Sequence, residues 1–197
     1  MAAAPAPSRG VGVGPFLVLG VLFAGALAAV KLVHPNFANI SRQLGIPVQG
    51  VAAAWKWSHA RGLPFSWVLA TIIVESGGHP LEAGDAGGRS VGLMQVNTVA
   101  HASELAAQGL NRESLFNMDK NVEWGTKVLR EVHEEVLKAL GGQTPKAPVD
   151  VITRLAYKGP RTVVRAIHAG QNPIDIPWAP DAVLRWRRAL TRAAAVA

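Results

Sequence analysis

The chain contains no cysteine in its 197 residues, which excludes disulfides, thiolate metal ligands and a cysteine nucleophile. Charge is also scarce, at 17% of residues against 49% hydrophobic, and that balance excludes wholesale disorder. Acidic residues are the scarcer sign, with 13 Asp+Glu against 20 Lys+Arg and a formal charge of +7. Such an excess favours anionic partners (nucleic acid, lipid headgroups or cell-wall polymers) without choosing among them. Alternation of apolar and polar residues over strand length is missing, and so is any internal repeat. A mainly α fold is therefore expected. His34, His59, His79, His101, His133 and His168 show no ligand spacing, and His133-Glu134-Glu135 lacks the second histidine of a helical zinc motif. No metal and no cofactor is expected.

At 20.8 kDa the chain has room for one compact domain with something attached. After a tail of residues 1–10, residues 11–30 read VGVGPFLVLGVLFAGALAAV, without a charge. A helix of that length spans about 30 Å, the thickness of a bilayer's hydrocarbon core. Gly12, Gly14 and Pro15 weaken its first turn, so the best helix starts near Phe16. A transmembrane anchor is expected here. Ala26-Leu27-Ala28 offers the competing reading of a signal peptide. Residues 31–46, with Pro35, Asn36, Asn39 and Gly45, read as a linker, and 47–178 as the folded domain. Residues 179–197 form a basic amphipathic helix: Arg185, Arg188 and Arg192 share one face, and Val183, Trp186 and Leu190 another. That helix either lies on anionic lipid or packs its apolar side on the domain.

Within the domain a short helix is expected over Val51–Ala60. A second, from Pro64, carries Phe65, Val68, Leu69, Ile72 and Ile73 at helical spacing, with Trp67, Ala70 and Val74 on its other side. A helix apolar all round is buried, so this one runs through the centre. A long helix capped by Asp119 ends at Gly141-Gly142, one from Asp150 reaches Tyr157, and another spans Thr162–Ala169.

One carboxylate is out of place. Glu75 falls in the last turn of the apolar helix, on the margin of its buried stripe. Desolvation and the negative end of the helix dipole would both raise its pKa, as general-acid cleavage of a glycosidic bond requires. The alternative is a helix-end glutamate facing water. A Gly-rich stretch follows and runs into Gly92-Leu93-Met94-Gln95-Val96-Asn97, where polar amides alternate with apolar residues.

Four blocks now stand in order: Glu75-Ser76-Gly77; GDAGGRSVGLMQVN over 84–97; LFNMDKNVEWGTKVL over 115–129; and Leu155-Ala156-Tyr157-Lys158-Gly159-Pro160. Together they resemble the lytic transglycosylase (SLT) domain of the goose-type lysozyme-like superfamily, across about half the chain. The resemblance implies a mainly α, lysozyme-like single domain acting on peptidoglycan glycan strands. It makes Glu75 the catalytic acid/base. Ser76 and Gln95 would line the cleft and contact the sugar, with Met94 packed against the glycan and Asn97 also binding substrate. Asn121, Gly125 and Leu129 fit a structural helix, and Tyr157 would hydrogen-bond and orient the glutamate. Lys158 stands where the family has Asn, so one substrate hydrogen bond is altered. A cation there would instead meet a carbonyl or a peptide-stem carboxylate.

The resemblance also implies that one Glu protonates the oxygen between N-acetylmuramic acid and N-acetylglucosamine, then deprotonates the muramic C6 hydroxyl to close a 1,6-anhydro ring. A hydrolytic muramidase would need a second carboxylate, for which Glu82 and Asp85 are at hand. A catalytically weak wall-binding component is the rival outside enzymology. The setting expected is the periplasmic or cell-wall face of a membrane, with residues 11–30 in the bilayer, in an envelope-spanning secretion or conjugation machine or a phage virion. GDAGGRS fails as a phosphate loop, since Ala83 holds the first Gly position and Arg89 replaces Lys. The six tryptophans are scattered rather than interleaved with cations, so nucleic acid is not expected as a partner. Trp55, Trp67 and Trp124 suit a core, and Trp57 or Trp178 a sugar groove.

Overall fold

The computed structural model describes residues 35–84 and 87–197. The anchor or signal peptide expected over 11–30 lies outside the described residues. Among the described residues, no helix is long and apolar enough to cross a membrane.

Eight α-helices account for most of the described chain: α1 (Phe37–Leu44), α2 (Val48–Arg61), α3 (Phe65–Ser76), α4 (Ala102–Ala107), α5 (Met118–Leu140), α6 (Val149–Lys158), α7 (Pro160–His168) and α8 (Ala179–Ala194). Helix α3 is the central element, as its all-round apolar character predicts, and Val68, Leu69, Ala70 and Ile72 are buried along it. Helix α2 lies against α5, and α5 against α6 and α7. The long α5 starts two residues earlier than expected. Asn117, not Asp119, caps it by accepting from the Lys120 amide. The Asp119 side chain is engaged elsewhere, accepting from the Trp57 indole at 2.9 Å and from Lys56 at 3.1 Å. Trp57 is thereby a structural residue rather than a wall of the groove.

Two expectations are corrected. The stretch read as a linker contains α1, capped by the Asn36 side chain on the Asn39 amide, with Ile40 and Leu44 buried in the main core. Pro35, Asn36 and Gly45 bound this helix rather than break it. Secondly, three two-residue strands, β1 (Ala83–Gly84), β2 (Ser90–Val91) and β3 (Val96–Asn97), form an antiparallel sheet. Ala83 pairs with Val91, and Ser90 with Asn97. Strands of two residues are too short to show alternation. They sit over a second, smaller core of Val91, Val96, Leu105, Leu115 and Trp124.

Of the two readings of the basic C-terminal helix, the structure bears out the packed one: it belongs to the domain. Helix α8 lies along α3 and buries Ala182, Trp186, Ala189 and Ala193, the 3–4 spacing of one face. Small alanines allow the close approach, and the Trp186 indole donates to Asp150 at 3.0 Å. With that face occupied, α8 turns its arginines outward, together with the half-exposed Leu184. Trp186→Ala should lower stability by about 3–5 kcal/mol in urea unfolding. A loss below about 1 kcal/mol would make α8 an appendage.

Candidate active site

Helix α3 ends where Gly77 turns left-handed at φ 62°, leaving Glu75 in the last turn with a fifth of its side chain exposed (20%). The glutamate is not an isolated carboxyl in an apolar crevice, as its sequence position suggested. Arg154 of α6 reaches it from the core, with Nη2 2.6 Å from Glu75 Oε1 and only 6% of the Arg154 side chain exposed. The same guanidinium stands 5.7 Å from the centre of the Tyr157 ring. Its Nε and Nη1 are buried without a protein partner. A buried cation is tolerated only when paired, so Arg154 depends on Glu75 as much as Glu75 is steered by Arg154. Sequence reasoning missed Arg154. The signal was a charge on the apolar face of α6, three residues after Val151 and beside Leu155.

The loop after α3 is built from the inside out. Leu93 and Met94 are fully buried, which takes their backbone polar groups away from water. Three side chains supply the missing partners. Ser76 Oγ donates to Leu93 O at 2.8 Å. Asn121 accepts from Met94 N at 2.8 Å and donates to Val91 O at 2.8 Å and Leu115 O at 2.9 Å. Tyr157 donates its hydroxyl to Met94 O at 2.9 Å. Gly92, at φ 76°, leaves no room for a Cβ, which would come within 2.7 Å of Leu115 O. Gly125 is required for the same reason, since a Cβ there would lie 2.6 Å from the Met94 side chain.

This arrangement reassigns several candidates. Ser76 and Met94 are buried and offer no surface to a sugar; both hold the loop. Tyr157 bonds to the loop carbonyl rather than to Glu75. Burial, then the nearby Glu75 charge, push its phenol far above the ordinary tyrosine value, with Arg154 opposing. Tyr157 is thus a neutral donor. Gln95 lines the cleft but spends its amide on protein, accepting from Gly84 N and donating to Glu82 O and Gly92 O.

A cleft of about 1000 Å³ brings together Glu75, Gln95, Asn97, Arg154, Tyr157 and Lys158. Asn97 uses its side-chain oxygen on the Val99 and Ala100 amides, and its amide NH2 has no protein partner among the described residues. Glu82 is exposed and does not line the cleft, and Asp85 lies outside the described residues. The carboxylates on the wall are Glu131 and Glu135 of α5, of which Glu131 pairs with Lys127 at 2.8 Å. Trp178 does not line the cleft but lies beneath Lys158, whose Nζ stands 5.3 Å from its ring centre. Among the described residues, no group of three or more His, Asp or Glu is placed to hold a metal ion.

A family model described as "Transglycosylase SLT domain" matches residues 52–171, more than half of the chain. The chain belongs to this family. Membership implies peptidoglycan lytic transglycosylase activity in general, with glycan strands as substrate. No curated protein matches the sequence.

The geometry has two measurable consequences. Glu75→Ala strands the buried Arg154 cation and should cost about 3 kcal/mol in chemical denaturation. Glu75→Gln retains an acceptor for Nη2 and should cost less than half of that. Equal costs would remove the pair from its role. Tyr157 is the single tyrosine, so absorbance reports it alone. Because its folded pKa is raised, its stabilising contribution is fully present below pH 10, the ordinary value, and is lost as pH rises beyond it. Tyrosinate absorbance should therefore appear only as the protein unfolds, and a native-state signal near pH 10 would contradict the burial.

Proposed function

From membership in the transglycosylase SLT family, we propose that this chain cleaves the β-1,4 bond between N-acetylmuramic acid and N-acetylglucosamine, leaving a 1,6-anhydromuramic end. Glu75 acts twice. As an acid it gives its proton to the glycosidic oxygen while the bond from muramic C1 to that oxygen breaks. As a base it then takes the proton of the muramic C6 hydroxyl, whose oxygen bonds to C1. The proton returns to Glu75 and no water is consumed. Arg154 holds the carboxyl at the mouth of the cleft by the 2.6 Å contact. Tyr157 keeps the facing loop at its distance through Met94 O.

The observation that carries this reading is the place of Glu75, a part-exposed carboxyl backed by a buried guanidinium at the wall of a strand-sized cleft. A hydrolase adds a second carboxylate to activate water. Glu131 is held by Lys127, which disfavours it for that work. Glu135 on the same wall makes hydrolysis the second reading. We further place the enzyme on the cell-wall side of a membrane, tethered through residues 11–30, opening the wall locally for a secretion or conjugation machine or for phage entry. Its support is the uncharged run of bilayer length.

Wild-type protein should clear peptidoglycan in a gel, and Glu75→Gln should reduce turnover at least about a hundredfold. Equal clearing by both would remove Glu75 from the chemistry. Products lighter than hydrolysed ends by one water identify the anhydro ring, and products without that deficit assign hydrolysis.

A further inference from the structure

Three cations from three different helices meet on the cleft: Lys158 at the end of α6, Arg161 in α7 and Arg185 in α8. All three are exposed. Along α5 three of the four Lys and Arg side chains have carboxylate partners, Lys120 with Glu123, Lys127 with Glu104 and Glu131, and Arg130 with Glu134; Lys138 in the last turn has none among the described residues. The cleft cations have none within ion-pair distance among the described residues. Even Asp181, one helical turn before Arg185, does not pair with it. Lys158 instead rests over the Trp178 face, which steadies the ammonium without neutralising it. Behind them, Glu75 and Arg154 neutralise each other, and Lys127 is shared between Glu131 and Glu104. The charge left on the cleft is three cations against Glu135 and a partly compensated Glu131.

We propose that Lys158, Arg161 and Arg185 form a carboxylate-binding subsite that reads the muramic-acid side of the strand. This inference rests on the cleft being a glycan cleft, as set out above. The chemistry is selective. N-acetylglucosamine is uncharged, and along such a strand carboxylates occur only on muramic units. There the lactyl group ends either in its own carboxylate or in a peptide that carries several. A strand laid in the cleft with a muramic unit at Glu75 thus brings its anionic substituent to one side. Three cations that no protein carboxylate occupies are suited to receive it. Exposed pairs are individually weak, and convergence of three on one substituent is what makes the preference measurable.

The test is equilibrium binding to the full chain carrying Glu75→Gln, so that no ligand is consumed. Three glycan tetramers of equal length serve as probes: one bearing peptides, one denuded with free lactyl carboxylates, and one bearing peptides with every carboxyl capped as an amide. The capped tetramer should bind about tenfold more weakly than the better of the other two. The gap should shrink with added salt. Adding Arg161→Gln and Arg185→Gln should close most of it while affinity for the capped tetramer stays within about twofold. If only the peptide-bearing probe gains, the stem is the occupant; if only the denuded one does, it is the lactyl group. Equal binding of all three, or an equal loss for all three in the variant, overturns the subsite. Failure of the wild type to cleave any strand would sink the catalytic reading instead, and carboxylate-dependent affinity would survive it.

Discussion

The site depends on how one buried loop satisfies its backbone. Leu93 and Met94 enter the core, Leu93 against Gly50 of α2 and Met94 against Gly125 of α5, and their amide and carbonyl groups lose water when they do. Ser76, Asn121 and Tyr157 each come from a different helix and meet the same short stretch of main chain. The loop therefore cannot settle until α3, α5 and α6 are assembled. Once settled, it ties the end of α3 to the wall opposite. A family motif that reads as a row of sugar contacts is, in large part, the lock that gives the cleft its shape.

Glu75 is held by a second constraint. A carboxyl at the end of an apolar helix has several rotamers open to it, and the Arg154 contact selects one. That side chain lies deep in α6, where Ile152 and Leu155 pack tightly around the helix. Reach and charge both come from the core rather than from the cleft surface. The glutamate's position is thereby linked to helix packing, and the two functional walls of the cleft share the α6 segment from Arg154 to Lys158.

What the sequence made legible follows from signal length. Helix α3 and helix α5 carry many apolar residues at helical spacing, and both appear within a turn of where they are expected. Helix α1 was hidden because two turns between Pro35 and Gly45 offer too few periodic positions, so its breakers outweighed Ile40 and Leu44. The strands are two residues each, below the length at which alternation exists. For the site, Glu75, Gln95, Asn97, Tyr157 and Lys158 do share one cleft. Ser76 and Met94 could not be separated from them by pattern, since only burial distinguishes a residue that touches ligand from one that braces its neighbour. Arg154 required knowing that α6 comes within side-chain reach of the end of α3, a tertiary fact.

The two apolar clusters differ greatly in size, and α5 contributes to both: Leu129 to the larger, Trp124 to the smaller. The smaller, beneath the sheet, rests on five buried side chains. Cooperative units with few apolar contacts open at the least free-energy cost. That lobe also carries Asn97, so the lip of the groove there rests on a much smaller core than the floor at Glu75. A polymer approaching side-on would thus meet a yielding edge over a fixed reacting group, and entry would not require a free chain end to be threaded.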